Sequence, residues 1–221
     1  MHKKRISVGK GKKPKWFVVS KPGPHSKGSS ISLLYILRDI LQYADNAREA
    51  RAIINGGLIL VNKKPIKEVK YPVGLMDVLE IPKLKKYYRV LPGKKEVRLV
   101  EISESESKTK LWKIINKQTH KKGKIQLNLH DGSNIIINKD TFKTKDTLVI
   151  EISSGKIKDV LEYKKGNTAL VVHGRHSGGT GVISQITEAK EGRKSRVKLG
   201  EIETLTDYVF IIGKDKPLIS I

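Results

Sequence analysis

The chain has 221 residues, enough for one large domain or for two to three small ones. Its 45 Lys and Arg against 22 Asp and Glu give a formal net charge of +23, a surplus that repels itself unless a polyanion neutralises it; nucleic acid is the first candidate and an anionic membrane surface the second. There is no cysteine and no run of eighteen apolar residues, which excludes disulfide frameworks, thiolate zinc sites and a bilayer-spanning helix.

Residues 1–30 hold nine Lys or Arg and no acid, punctuated by Gly and Pro as in Lys21-Pro22-Gly23-Pro24. Such a stretch cannot bury a core and reads as a disordered or RNA-ordered arm, with Lys3, Lys4, Arg5, Lys12, Lys13 and Lys15 as candidate RNA contacts. Trp16-Phe17-Val18-Val19 is the exception and is expected to anchor on the body. No apolar signal core follows the basic start, so the expectation is a cytoplasmic protein.

Residues 31–86 follow a helical and then a strand pattern. Leu33, Leu37, Ile40, Leu41 and Ala44 form one stripe of a helix expected over 32–43. That helix carries one arginine and one aspartate, not the lysine-rich polar face of a membrane-surface helix. A second helix begins where Asn46 caps and Glu49 closes a capping box. Ala47, Ala50, Ile53 and Ile54 share one face of it, and Arg48, Arg51 and Asn55 share another. Gly56-Gly57 stops it, 58–61 reads as a buried strand, and Asn62-Lys63-Lys64-Pro65 as a basic turn. An arginine face delivered into a strand and a basic loop suits a phosphate backbone, since each guanidinium fork holds a phosphate with two hydrogen bonds. The segment resembles the α-L RNA-binding motif through Glu49-Ala50-Arg51, Ile53-Ile54, Gly56-Gly57 and Val61-Asn62-Lys63-Lys64. Lys63 stands where most members have glycine, and Met76-Asp77 replaces a Gly-Asp before the last strand.

From 87 to 165 the pattern becomes β-branched with period two. Strands are expected over 87–91, 97–102, 111–115, 124–129, 134–137, 148–152 and 156–161, with 103–110 as a short helix. His130-Asp131-Gly132-Ser133 and Ser153-Ser154-Gly155 are the turns. Lysines 108, 110, 113, 117, 121, 122 and 124 run along a predicted hairpin, and Lys121 and Lys122 are candidate RNA contacts.

In 166–221, a strand over 166–172 leads into a glycine-rich loop from His173 to Gly181 and then a strand from Val182. This resembles a KOW motif, which sits in small five-stranded barrels. His173, Gly174, Arg175 and His176 in the loop, with Arg193, Lys194 and Arg196 after it, are candidate RNA contacts, the glycines allowing backbone N–H groups close approach to an anion. Gly174 and Gly179 have P-loop spacing, but Thr180 occupies the lysine position and a strand follows, so nucleotide binding is not expected. His173 and His176 lack a third ligand nearby, so no metal is expected. No reactive thiol, nucleophile elbow or His-Glu-x-x-His helix is present, and no catalytic residue is expected.

Taken in order, these features resemble the archaeal and eukaryotic small-subunit ribosomal protein four family, e-type. Further matching words are Lys13-Pro14-Lys15-Trp16, Gly23-Pro24-His25, Tyr71-Pro72-Val73-Gly74-Leu75-Met76-Asp77-Val78 and Ile212-Gly213-Lys214-Asp215-Lys216-Pro217, and within this resemblance the short tail leads us to expect the archaeal form. The implied fold class is α+β and multi-domain: a basic N-terminal arm (1–30), an α-L RNA-binding domain of two helices plus short strands (31–86), a central β-rich domain (87–165) and a KOW-type small β-barrel (166–221). The resemblance implies a non-enzymatic constituent of the small ribosomal subunit, with rRNA and neighbouring ribosomal proteins as partners, no cofactor and no homo-oligomer. The alternative reading is a free RNA-binding or transcription-elongation factor with a KOW domain.

Overall fold

A computed structural model describes residues 17–94, 97–120, 123–189 and 194–221. They divide into two units, one within Met1–Leu91 and Lys95–Lys108, the other comprising Pro92–Lys94 and Thr109–Ile221.

In the first unit, β1 (Ser30–Ser32) pairs antiparallel with β4 (Pro72–Gly74). The chain then enters α1 (Leu33–Tyr35), continued by a wider π turn over Ile36–Ile40 in which Leu41 N–H donates to Ile36 C=O at 2.8 Å. The helix expected over 32–43 is therefore shorter. Gln42 takes a left-handed φ of 54° and Tyr43 N–H turns back to Leu37 C=O, which closes the element. α2 (Ala47–Asn55) follows. A five-stranded sheet of order β3-β2-β5-β6-β7 completes the unit, from β2 (Leu60–Val61), β3 (Lys64–Pro65), β5 (Val78–Ile81), β6 (Lys86–Pro92) and β7 (Val97–Glu101). Leu33, Leu37, Ala50, Ile54, Val61, Leu79 and Val90 meet in one apolar core, each from the buried face that its helical or strand period assigns.

Phe17 and Val18 anchor on the body as expected, and the arm expected over 1–30 is also pinned at Ser20, His25 and Ser30, while residues 21–24 and 26–28 are exposed. Phe17 packs at a tilt against Tyr35 with ring centroids 4.6 Å apart, Ser32 Oγ donates to Val18 C=O, and Ser20 and His25 are buried. Low apolar content misled because this stretch is held by hydrogen bonds. The boundary expected at 86 falls inside the sheet: β6 pairs along β5, and Ile102 N–H donates to Tyr87 C=O. The short α3 (Glu104–Ser107) brings Glu106 onto the fully buried Arg89. Burial lowers the Arg89 guanidinium from its ordinary value, and Glu106 opposes that shift.

The second unit holds two five-stranded antiparallel sheets. The first has the order β10-β9-β8-β11-β12, from β8 (Thr109–Thr119), β9 (Ile125–Leu129), β10 (Asn134–Ile137), β11 (Thr147–Glu151) and β12 (Ile157–Leu161). The second has the order β16-β15-β14-β13-β17, from β13 (Thr168–Val171), β14 (Thr180–Thr187), β15 (Arg196–Leu199), β16 (Ile202–Leu205) and β17 (Val209–Gly213). The sheets meet through β17, where Phe210 packs edge-on against His130 at 5.2 Å. No described helix is long and apolar enough to cross a membrane.

Candidate nucleic-acid interface

α2 is built to hold an arginine face outward. Asn46 Oδ1 accepts from Arg48 N–H at 2.9 Å and Glu49 N–H at 3.0 Å, while Glu49 Oε2 accepts from Asp45 N–H at 3.0 Å. The stop comes at Gly57, whose φ of 68° is the left-handed cap. Ala50 and Ile54 are fully buried, so the period of the helix forces Arg48, Arg51 and Asn55 to the outside. Neither arginine has an ion-pair partner among the described residues. Lys64, on β3, is also exposed and unpaired.

The turn after α2 is different. Val61 and Lys64 pair across a two-residue loop whose residues, Asn62 and Lys63, have φ of 50° and 63°, as a type I′ turn requires. Lysine occupies a left-handed position that glycine would take freely. Its ammonium is tied inward, 2.8 Å from the nearly buried Glu80 Oε1 and 3.3 Å from Ser107 Oγ. Asn62 Nδ2 donates to Asp77 Oδ1 at 2.8 Å, and its Oδ1 accepts from Val78 N–H. Asn62 and Lys63, expected to reach RNA, are therefore engaged in holding the hairpin.

Asp77 is the centre of that arrangement and was not singled out by the sequence. Its Oδ2 lies 2.8 Å from His25 Nε2 and accepts from Gly74 N–H at 2.9 Å, with both side chains 2% exposed. A Cβ at Gly74 would stand 2.4 Å from the His25 ring. Met76 takes φ 64° beside it, the conformation natural to the glycine that it replaces.

The lysine run of the predicted hairpin is likewise divided. Lys110 is buried, 3.0 Å from Asp131 Oδ2 and over the Trp112 ring. Burial alone would raise the Asp131 carboxyl, but Lys110, His130 and the Ser133 N–H together bring it below its ordinary value. Lys113 donates to Val209 C=O at 2.6 Å and Asp207 C=O at 3.1 Å, and burial pushes its ammonium down to about 8. These two lysines hold the second unit together. The available signal was that Lys113 interrupts the apolar run Leu111-Trp112-Lys113-Ile114-Ile115.

In the loop from His173 to Gly181 the backbone is closed on itself. Gly178 N–H donates to Val171 C=O, Gly179 N–H to His176 C=O and Ser177 N–H to Gly174 C=O. A Cβ at Gly178 would stand 3.0 Å from Pro92 C=O. These glycines serve close packing, and the expected cradle of N–H groups is occupied at 177–179. Gly174, Arg175 and His176 are exposed at the tip. His173, exposed beside them, lies edge-on to Tyr208 at 5.8 Å; its partial burial there lowers its imidazole and Lys113 adds to the effect. Lys194 is exposed, and Arg196 forms a surface pair with Glu203 at 3.1 Å. Lys3, Lys4, Arg5, Lys12, Lys13, Lys15, Lys121, Lys122 and Arg193 lie outside the described residues. Among the described residues no cluster of His, Asp and Glu could hold a metal ion.

The chain is similar to known proteins along nearly all its length. Residues 84–157 match the model of the ribosomal family S4e and residues 36–79 that of the S4 domain. The small ribosomal subunit protein eS4 of Methanothermobacter thermautotrophicus is 44% identical over 95% of this chain and 89% of that protein. The protein of the same name from Archaeoglobus fulgidus is 41% identical over 100% of this chain and 98% of its own length. The crystal structure of the 30S ribosomal protein S4e from Thermoplasma acidophilum superimposes with a TM-score of 0.76 at 36% identity, covering 84% of this chain and 96% of that one.

Proposed function

The chain belongs to the ribosomal family S4e, and from that membership we propose that it is a structural constituent of the small ribosomal subunit, binding small-subunit rRNA beside neighbouring ribosomal proteins. Its place of work is the cytoplasm, and its role is architectural, not catalytic. The observation that carries the RNA-binding reading is the α2 face. Arg48 and Arg51 are exposed and have no ion-pair partner among the described residues, on a helix whose cap and buried face fix their direction, while Lys63, Arg89, Lys110 and Lys113 are engaged internally. Cations held outward without partners are the ones that neutralise phosphates.

Within this reading the first unit acts as an α-L module, presenting Arg48, Arg51, Asn55 and Lys64 to one RNA element. The sheet formed by β13 to β17 acts as a KOW-type barrel. Arg175 and His176 at its loop tip, with Lys194 and Arg196, meet a second element. Lysines and arginines of 1–15, with Lys121, Lys122 and Arg193, add phosphate contacts. Such contacts set register and orientation more than sequence preference.

Crosslinking in cells followed by sequencing of the bound RNA tests the proposal. Crosslinks should concentrate on small-subunit rRNA and map to peptides containing α2 and the loop tip at 174–176. Crosslinks spread over nascent messages or tRNA would overturn it in favour of a free RNA-binding factor.

A further inference from the structure

One face of the second unit is unlike the rest of this basic molecule. In the three-stranded part of the first sheet, Asn116, Asn128 and Asn134 stand opposite one another across β8, β9 and β10. In the next outward row, Gln118 faces Gln126, which faces Ile136. These residues all point to the side away from the core, because Leu127 between them is fully buried on the other. The bulge between Ile114 and Asn116 adds Ile115 beside the asparagine row. Ile115 and Ile136 are 59% and 54% exposed. At the hairpin end Lys124 continues the face, its carbonyl accepting from His120 N–H at 2.7 Å.

A solvated sheet face in a chain with 30% charged residues would carry charges. Across these two rows there is none, and two large apolar side chains lie uncovered instead. Gln126 Nε2 donates to Asn128 Oδ1 at 2.9 Å and Asn116 Oδ1 accepts from Lys117 N–H at 2.8 Å, which leaves each amide with further hydrogen-bonding capacity for a partner that both donates and accepts. These amides can donate to a phosphate, but without the charge assistance that Lys and Arg supply. The minor groove of an A-form RNA helix has the matching character: wide and shallow, lined by 2′-hydroxyls that both donate and accept, with base edges at its floor. The exposed isoleucines would pack on the apolar faces of the riboses, and Lys124 would stand at the phosphate rim. A second copy of this chain is disfavoured by the +23 charge that each copy carries.

We propose that the amide face of β8, β9 and β10 docks in the minor groove of a double-helical segment of small-subunit rRNA. This contact reads the sugar edge, and it is separate from the phosphate contacts of α2. The inference rests on the rRNA-binding reading above.

The test uses the full-length protein and a small-subunit rRNA transcript, comparing wild type with N116A/Q118A/N134A and with Gln118→Glu, which keeps shape but introduces a carboxylate. Affinity should fall about tenfold or more in both variants. The slope of log affinity against log salt should stay that of wild type in N116A/Q118A/N134A, because no phosphate contact is lost. Hydroxyl-radical protection of one minor-groove segment should disappear, with unchanged thermal unfolding. Unchanged affinity and footprint would overturn the inference, as would a shallower salt slope in the triple variant. Full rRNA affinity combined with failure to enter the subunit would assign the face to a protein neighbour and overturn it as well. Failure of the wild-type protein itself to bind rRNA would instead defeat the underlying reading.

Discussion

At the scale of single residues, the tightest constraint lies between Gly74 and His25. An alanine at 74 would place its Cβ against the imidazole at 2.4 Å, with Asp77 fixed behind the ring. Gly74→Ala should cost about 1–3 kcal/mol in urea unfolding, the range for overpacking a filled site. Asp77→Ala should cost about 3–5 kcal/mol, because His25, Asn62 and Gly74 N–H together lose their buried acceptor. Lys113 supplies a pH dependence. Burial, aided by Lys145 and opposed by Asp207, pushes its ammonium down to about 8 from 10.5. Between those values the unfolded chain holds a proton that the folded chain has released, so the stability contributed at this position rises with pH, by up to about 3 kcal/mol. The urea midpoint of wild type should gain on that of Lys113→Met between pH 7.5 and 10; a gap that does not change with pH would show a solvated ammonium. None of these residues was read from the sequence as structural. His25 and Asp77 are 52 residues apart, and Lys113 and Val209 are 96 apart, so no local period reports either contact.

At the scale of elements, α2 separates stability from binding. Asn46→Ala removes the acceptor of two N–H groups and should cost about 1 kcal/mol in thermal or urea unfolding. Arg48→Ala and Arg51→Ala should leave unfolding unchanged. Each should weaken rRNA binding by about 1–3 kcal/mol and reduce the salt slope by about 1. Equal affinity at matched salt would remove that face from the interface. This element was the most legible part of the chain, since cap, apolar period and glycine stop are all written within a dozen consecutive residues. The strands β8 to β12 were nearly as clear, through β-branched alternation and the turns at 130–133 and 153–155, whereas β15, β16 and β17 were not read from the sequence. The hairpin at 62–63 was legible as a turn, but the internal engagement of its two side chains was not. Its chemistry depends on Glu80 and Asp77, which arrive from β5 and the turn before it.

At the scale of the whole molecule, composition spoke clearly about the partner and poorly about which cations meet it. Net charge does not distinguish Lys110, paired in the interior, from Lys64 on the surface. If six to ten cations reach phosphate, affinity for an rRNA transcript should fall about 10³–10⁵-fold between 50 and 200 mM salt; a nearly flat response would refute a phosphate-dominated interface. The reach of Lys113 to β17 has a consequence for biosynthesis. The chain is made from its amino end at about 5–20 residues per second, so Lys113 leaves the peptidyl-transferase centre about 5–20 s before Val209 does. Through that interval β8 has neither of the carbonyls that finally cap its ammonium, and the lysine keeps its water. The second unit therefore completes itself only when its last strand emerges, and a nascent chain stalled upstream of residue 209 would expose a sheet carrying a hydrated charge where its neighbour belongs.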